Sequence, residues 1–270
     1  MNKHSIYYGL DSETTRKEYR KKMNIFRGIL LGFAAVWLII YCRSMYYDRL
    51  AETYILLVLY LVMYLFFRKY KNKLNTELFN ILYLDCDPVK LHNQFEHLVV
   101  RTKRSKQFMK LQYAMLGKFA SEYFEEGYEA LKEIKADKYE KVISLKALEC
   151  SYALRRDGKE EYFRLSDEIL NFQKPKNKKQ LKFYETVCAT ITKERLYLEG
   201  KYEEVLKLWL ESYRGDTDTS LVNVVASKRI ADCKWELGEK DEAIKLYEFV
   251  VANGGTTYLV ELSQQRIGSY

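Results

Sequence analysis

Two stretches near the N-terminus are almost purely apolar, and the remainder of the chain sets apolar and polar positions at helical spacing. Residues 28–42 read GILLGFAAVWLIIYC without a charge, and Ile25 and Phe26 carry the run past Arg27. Residues 53–67 read TYILLVLYLVMYLFF. Each run is short against the ~20 residues that cross a ~30 Å hydrocarbon core. Tyr41, Tyr46, Tyr47, Tyr54 and Tyr70 nevertheless border the runs as interfacial aromatics do. The pattern predicts a transmembrane helical hairpin over residues 27–67. Two consecutive runs with basic outer flanks argue against a pair of buried core helices.

Beyond residue 74 the breakers recur at regular intervals. Gly117, Gly158, Gly200 and Gly238 each follow a long amphipathic stretch and precede a shorter one, at spacings of 41, 42 and 38 residues. That rhythm suits a helix, a tight turn through glycine and a returning helix, repeated four times. Pro88 and Pro175, the two prolines, follow Asp87 and Lys174 and mark helix starts. Gly254-Gly255 ends the last pair, and residues 256–267 read as a lone amphipathic helix covering the final apolar face. The expected fold is all-α, an N-terminal two-helix transmembrane hairpin followed by an α-solenoid of about four hairpins with a C-terminal capping helix. Its parts are a basic N-terminal segment (1–26), the hairpin (27–67), a juxtamembrane linker (68–87) and the repeat domain (88–270).

Composition agrees, since two prolines and 12 glycines against 24 tyrosines and 13 phenylalanines suit long helices better than a turn-rich β-fold. The net charge of +8 would suggest a nucleic-acid partner if it were spread over the chain. It is not spread. Residues 1–73 carry 13 Lys and Arg against 5 Asp and Glu, whereas residues 74–270 carry 32 of each sign. The excess flanks the apolar runs, as membrane topology requires, so no nucleic acid is expected. Lys3, Arg16, Lys17, Arg20, Lys21 and Lys22 precede the first run and Arg68, Lys69, Lys71 and Lys73 follow the second. The connection has two Arg offset by Asp48 and Glu52. Both termini are therefore expected in the cytoplasm, with the chain a multi-pass protein of the cell membrane. The Lys-rich, Pro-poor composition suits a bacterial inner membrane. Arg43-Ser44-Met45-Tyr46 does not resemble a signal-peptide cleavage site. Five scattered cysteines, Cys42, Cys86, Cys150, Cys188 and Cys233, without a CxxC, indicate free thiols.

Catalytic signatures are absent: there is no GxSxG, HExxH or phosphate-cradling glycine loop, so neither an enzyme nor a cofactor is expected. His92 and His97 stand five apart, not the three or four that bring ligands together on a helix, although Glu96 shares a face with His92. Asp85-Cys86-Asp87-Pro88 is explained by Asp87 capping a helix. Glu122, Glu125, Glu126, Glu129 and Glu133 read as a solvated helix side. Arg101, Lys103, Arg104, Lys106 and Lys110 read likewise, with anionic lipid as the alternative.

The turns LEGKYEEV (198–205) and LGEKDEA (237–243) resemble the inter-helix turn of tetratricopeptide repeats. In the last unit Ala231, Ala243 and Tyr247 occupy the family's two small positions and its aromatic position. The third unit has Lys193, Val205 and Trp209 there, the second Ser151, Phe163 and Asp167, and the first Lys110, Glu122 and Glu126. Such arrays bind peptides or partner helices in a concave groove lined by the first helix of each pair. The resemblance places Leu148, Tyr152, Arg155 and Arg156 in that groove from the second unit. From the third it places Thr190, Glu194 and Tyr197, and from the fourth Lys228, Asp232 and Trp235. It implies a membrane-tethered adaptor for a protein or peptide ligand, or alternatively a peptide-responsive regulatory receptor, with the bilayer as the other partner; an enzyme with no recognisable motif is the third alternative.

Overall fold

The computed structural model describes residues 4–47, 50–97, 102–211, 213–215 and 217–270, with the side chains of all of these but 50, 51 and 104. Twelve α-helices and no strand occur among the described residues. Lys3, Asp48 and Arg101 lie outside them, as does the side chain of Arg104. The chain divides into two compact units, His4–Ile81 and Leu82–Tyr270.

In the first unit α1 spans Ser12–Tyr46 and α2 begins at Leu50 and continues to Tyr83. Asp11 caps α1 by accepting from the Thr14 amide (2.8 Å) and hydroxyl (2.7 Å). Both helices are long and apolar enough to cross a membrane, and almost none of either apolar stretch is buried inside the protein. They are longer than the apolar runs: residues 12–26 are helical, and α2 continues into most of the expected 68–87 linker, replacing it with helix. No glycine or proline interrupts residues 68–83, so nothing in that stretch stops the helix.

Polar side chains tie α1 to α2 at three levels. Tyr19 donates to Asn75 Oδ1 (3.0 Å), the Trp37 indole donates to the Leu56 carbonyl (2.9 Å), and the Ser44 and Thr53 hydroxyls meet at 3.2 Å. Between them Phe26 meets Phe67 edge-on at 5.5 Å and Trp37 lies 4.8 Å from Tyr60. Elsewhere the apolar side chains point outward: Ile29, Leu31, Leu38, Ile39, Leu57, Leu61 and Phe66 are each more than half exposed.

The second unit holds α3 (Pro88–Glu96), α4 (Lys103–Gly117), α5 (Phe124–Lys132), α6 (Tyr139–Arg156), α7 (Lys159–Leu170) and α8 (Lys178–Leu198). It continues with α9 (Tyr202–Leu210), α10 (Leu221–Glu236), α11 (Lys240–Asn253) and α12 (Tyr258–Gly268). Neighbours in sequence pack on one another: α4 on α5, α6 on α7, α8 on α9, α10 on α11, and α12 on α11. Gly158, Gly200 and Gly238 turn these pairs with φ of 92°, 78° and 86°, a region costly for any side chain. Gly117 does not. It is the last helical residue of α4, placed against Gly127 of α5, and a Cβ on it would fall 2.6 Å from the Tyr152 hydroxyl. Its requirement is close approach rather than backbone freedom.

Two other expectations shift. Pro88 opens α3 behind an Asp87 cap, whose carboxylate accepts from Lys90 N at 2.9 Å, but Pro175 precedes the Asn177 cap of α8 and lies outside the helix. In the second pair the buried positions of α7 are Tyr162, Leu165, Ser166 and Ile169, not Phe163 and Asp167. Gly158 is itself the cap of α7, whereas α9 and α11 begin one residue later after their glycines, so the register moves by one.

The expected capping helix, α12, does more than cover the last pair. The Thr256 amide donates to the Cys86 carbonyl (3.1 Å), the Thr256 hydroxyl to Asp87 Oδ1 (2.7 Å), and the Tyr258 amide to the Phe119 carbonyl (2.8 Å). Gly255 permits this return, with φ 56° and a Cβ position only 2.4 Å from the Cys86 carbonyl oxygen. The end of the unit is thus fastened to its beginning.

Candidate functional site

Because α12 returns to the α3 and α4 end, the inner faces of the unit line an open-sided cavity of about 310 Å³. Its wall takes Lys118 and Phe119 from the α4–α5 turn, Leu154 and Arg155 from α6, and Tyr162 from α7. Thr190, Ile191 and Glu194 come from α8, Trp209 from α9, Val225, Lys228 and Arg229 from α10, and Tyr258 and Leu259 from α12. The wall is apolar with a cluster of charges.

Those charges form one arrangement. Lys228 Nζ lies 2.6 and 2.8 Å from the two Asp232 oxygens, and Tyr247 donates to Asp232 Oδ1 at 2.9 Å. Arg229 reaches Asp232 Oδ2 at 3.3 Å and Glu194 Oε1 at 2.5 Å. Burial pushes the Lys228 ammonium below its ordinary range, opposed by Asp232. For Arg229 burial acts the same way, but Glu194 and Asp232 outweigh it and hold the guanidinium above its usual value. Two cations are therefore matched by two carboxylates.

Arg155 is held differently. Its guanidinium lies between the Phe124 and Tyr258 rings, 4.3 and 4.1 Å from their centroids, and donates to the Lys118 carbonyl at 3.1 Å. Burial lowers its pKa, with Tyr258, Tyr152 and Glu261 opposing more weakly. The Lys118 ammonium is likewise pushed down by burial, Glu194 pulling against and Arg229 with that shift. Neither has a carboxylate within ion-pair distance among the described residues.

Of the ten residues the groove expectation named, Arg155, Thr190, Glu194 and Lys228 line this cavity. Tyr152 is fully buried, donates to the Ala114 carbonyl at 2.7 Å and belongs to the core with Leu131 and Ile134, where Leu148 also packs. Its expected exposure is thus corrected: the Gly117–Gly127 gap receives the ring. Arg156 faces solvent, pairs with Asp157 at 3.0 Å and covers the Tyr128 ring. Asp232 is 3% exposed and works through Lys228 and Arg229. Tyr197 packs against Tyr202 and under Arg229, and Trp235 packs against Tyr247 and Tyr270 beside Ala231 and Ala243. These are packing positions. Models of known families, curated proteins and solved structures were compared with the chain, and none matches it.

Lys118, Arg229, Tyr258 and Trp209 are cavity residues that sequence reasoning did not single out. Trp209 did stand at a repeat position, and Arg229 is the immediate neighbour of Lys228, which the resemblance named. Tyr258 had no local signal, because only the return of α12 brings it to the wall. The remaining chemistry is inert in this arrangement. Burial raises the thiols of Cys86, Cys150 and Cys233 to about 12, which disfavours the reactive thiolate. His92 is buried, stacked on Tyr123 at 3.7 Å, with Glu96 and Glu126 3.8 and 3.2 Å from its opposite ring nitrogens. That geometry cannot share one metal ion, and no group of three metal-ligating side chains occurs among the described residues. Glu129 pairs with Lys132, and Glu133 with Lys110, while Lys103 and Lys106 face solvent.

Proposed function

We propose that this chain is a membrane-anchored binding protein whose helical domain, tetratricopeptide-like in build, takes a ligand into the cavity between its inner helices. The observation that carries the reading is that one cavity is touched by a helix of every pair after the first, by the α4–α5 turn and by α12. A ligand there contacts all of them at once, so its binding free energy bears on the arrangement of the whole domain. The glycine turns and the buried Ala231, Ala243 and Tyr247 support the repeat reading. Recognition suits the wall better than catalysis does, because its one carboxylate, Glu194, is occupied by Arg229.

Of the two uses the resemblance implies, α12 favours the receptor. An adaptor groove is lined by the first helices of the pairs, and here Tyr258 and Leu259 of α12 also stand in the wall, with the Tyr258 amide tied to Phe119. The anchor is α1 with α2, spanning the membrane with both ends of the chain in the cytoplasm, as the basic outer flanks require.

Purification of the full-length protein in mild detergent, followed by native mass spectrometry and proteomics, tests the binding role. A retained small ligand or a reproducible cytosolic partner is expected. Its loss is expected in Thr190→Trp, which fills the cavity from an exposed wall position. Recovery of neither ligand nor partner, or retention unaffected by that variant in a protein of unchanged helicity, overturns the reading. Topology is tested with an impermeant thiol reagent on sealed cells in a Cys42→Ser background. Tyr46→Cys, a site 83% exposed, should label, and Ser12→Cys and Ser269→Cys should not. Ser44, buried against Thr53, would be a misleading probe.

A further inference from the structure

We infer that the cavity is a site for a small organic anion, a carboxylate on an apolar body, held by Lys118 and Arg155 of its wall. The inference rests on the reading of the cavity as a ligand site and assigns the chemistry of the ligand. It begins with charge balance. Lys228 and Arg229 are matched by Asp232 and Glu194. Lys118 and Arg155 border the same space and have no such match. Glu194, which attracts Lys118 from a distance, is bound by Arg229 at 2.5 Å, and Glu261, which attracts Arg155, accepts from Ser121 at 2.8 Å.

A cation withdrawn from water without a counter-ion is destabilising, and an incoming carboxylate removes that penalty. Arg155 is prepared for it. Two aromatic faces and the Lys118 carbonyl fix its plane, so little side-chain freedom is lost on binding. Its other N–H groups have no protein acceptor among the described residues. The Lys118 ammonium, 5.4 Å from the Phe119 ring centroid, adds a second charge to the same wall, and the Lys118 backbone is joined to Arg155 by that hydrogen bond.

The rest of the wall selects the body of the ligand. Leu154, Ile191, Trp209 and Val225 offer apolar surface, which opposes the entry of a dianionic phosphate with its tightly held water. The volume, about 310 Å³, sits at the small end of ligand pockets. That volume suits a small free acid better than a long segment of chain. A peptide C-terminus presents the same carboxylate, so the two sources have to be separated by experiment.

The experiment uses the full-length protein in detergent, N-acetyl-leucine and N-acetyl-phenylalanine as probes, their amides as uncharged controls, and hexapeptides ending in the same residues. Calorimetry and thermal melting are read together. Saturable binding of the acids with a raised Tm is expected, with at least about tenfold weaker binding of the amides, the loss of one charge-assisted contact. Lys118→Met is expected to raise the Tm of the ligand-free protein while abolishing the acid's effect, and Lys118→Arg to restore binding. A merely structural lysine would not stabilise the empty protein on removal. Arg155→Lys, which keeps the charge and loses the planar fork, is expected to bind about tenfold more weakly.

The inference fails if neither acid binds, if acids and amides bind alike, or if Lys118→Met leaves acid affinity intact. Hexapeptides that bind as tightly as the acids overturn the small-ligand assignment and identify a peptide end instead. If the acids fail while a partner or ligand is still lost in Thr190→Trp, only the anion chemistry is wrong. If nothing is retained at all, the cavity reading falls with it.

Discussion

The first and last helix pairs of the Leu82–Tyr270 unit bring their helices together by different means. In α10 and α11 the close contact is alanine on alanine: Ala231 and Ala243 are both fully buried, and Tyr247 closes over them with its hydroxyl on Asp232. In α4 and α5 it is glycine on glycine. Gly117 and Gly127 leave a gap that neither helix fills, and Tyr152 of α6 enters it to reach the Ala114 carbonyl. The last pair makes its close crossing from its own residues, with α12 packed over it, whereas the first borrows a side chain from the next pair. The first pair's stability is therefore tied to α6, and with it to the wall position Arg155 one turn further along.

The largest expected effect is at the last pair. Ala243→Glu forces a carboxylate into a fully buried contact with no space for it, and should unfold the last pair at a loss of more than about 4 kcal/mol. Hydrogen exchange on the full-length protein should show α10, α11 and α12 unprotected. Retention of protection there would mean the helices can separate without penalty, and the contrast between the pairs would be void.

Gly127→Ala comes next. The added Cβ would sit 2.2 Å from the Tyr152 hydroxyl, 2.8 Å from the Tyr113 carbonyl oxygen and 2.9 Å from the Gly117 Cα. Two of those neighbours are backbone and cannot rotate away, so a loss of about 3 kcal/mol is expected in denaturant titration. Tyr152→Phe alone removes one buried hydrogen bond, a loss of about 1 kcal/mol. The double variant sharpens the comparison. Without the hydroxyl the closest clash is gone, so the two losses should sum to clearly less than additive, which is the signature of a side chain serving another pair's interface.

This contrast also explains what could be read from the sequence. The apolar runs, the turn glycines at 158, 200 and 238 and the Ala231, Ala243, Tyr247 set were legible, because each is a local pattern whose physics is complete within one or two helices. Gly117 looked like a fourth turn because its spacing fits, while its actual requirement is close approach to the Tyr123 carbonyl and Gly127 within the pair and to Tyr152 from another pair. The resemblance put Tyr152 and Trp235 in a groove because a repeat position assigns a residue to a helix face but does not reveal the third helix that covers it. The one-residue shift of α7 was hidden because Gly158 can cap a helix directly, a backbone choice that side-chain pattern does not encode. The cavity needed the return of α12 to Cys86 and Phe119, contacts between opposite ends of the unit that no window of sequence contains.

The smallest expected effect concerns a lysine near the turn of each pair, and its sign differs between them. Lys118, after α4, is pushed below the ordinary 10.5 chiefly by burial. Lys234, in the last turn of α10, also loses water, but Glu239 and Glu242, each 2.5 Å from its ammonium, raise it above 10.5. A lysine whose folded pKa is depressed binds fewer protons in the native than in the unfolded state. Its penalty is therefore present at neutral pH and fades as pH rises through the depressed value toward 10.5. A lysine whose folded pKa is raised contributes stability that is complete below 10.5 and lost as pH climbs through the folded value. Stability of Lys118→Met and Lys234→Met relative to the parent, measured by denaturant titration from pH 7 to 11, isolates these two terms, because the shared titration of the tyrosines cancels in each difference. Lys118→Met should start more stable than the parent and lose that advantage as pH approaches 10.5. Lys234→Met should start less stable by under about 1 kcal/mol, as exposed carboxylate partners allow, and converge on the parent only above 10.5. Two curves with the same sign would mean that Lys118 has a counter-ion after all, and that the first pair's turn is no more exposed to burial than the last.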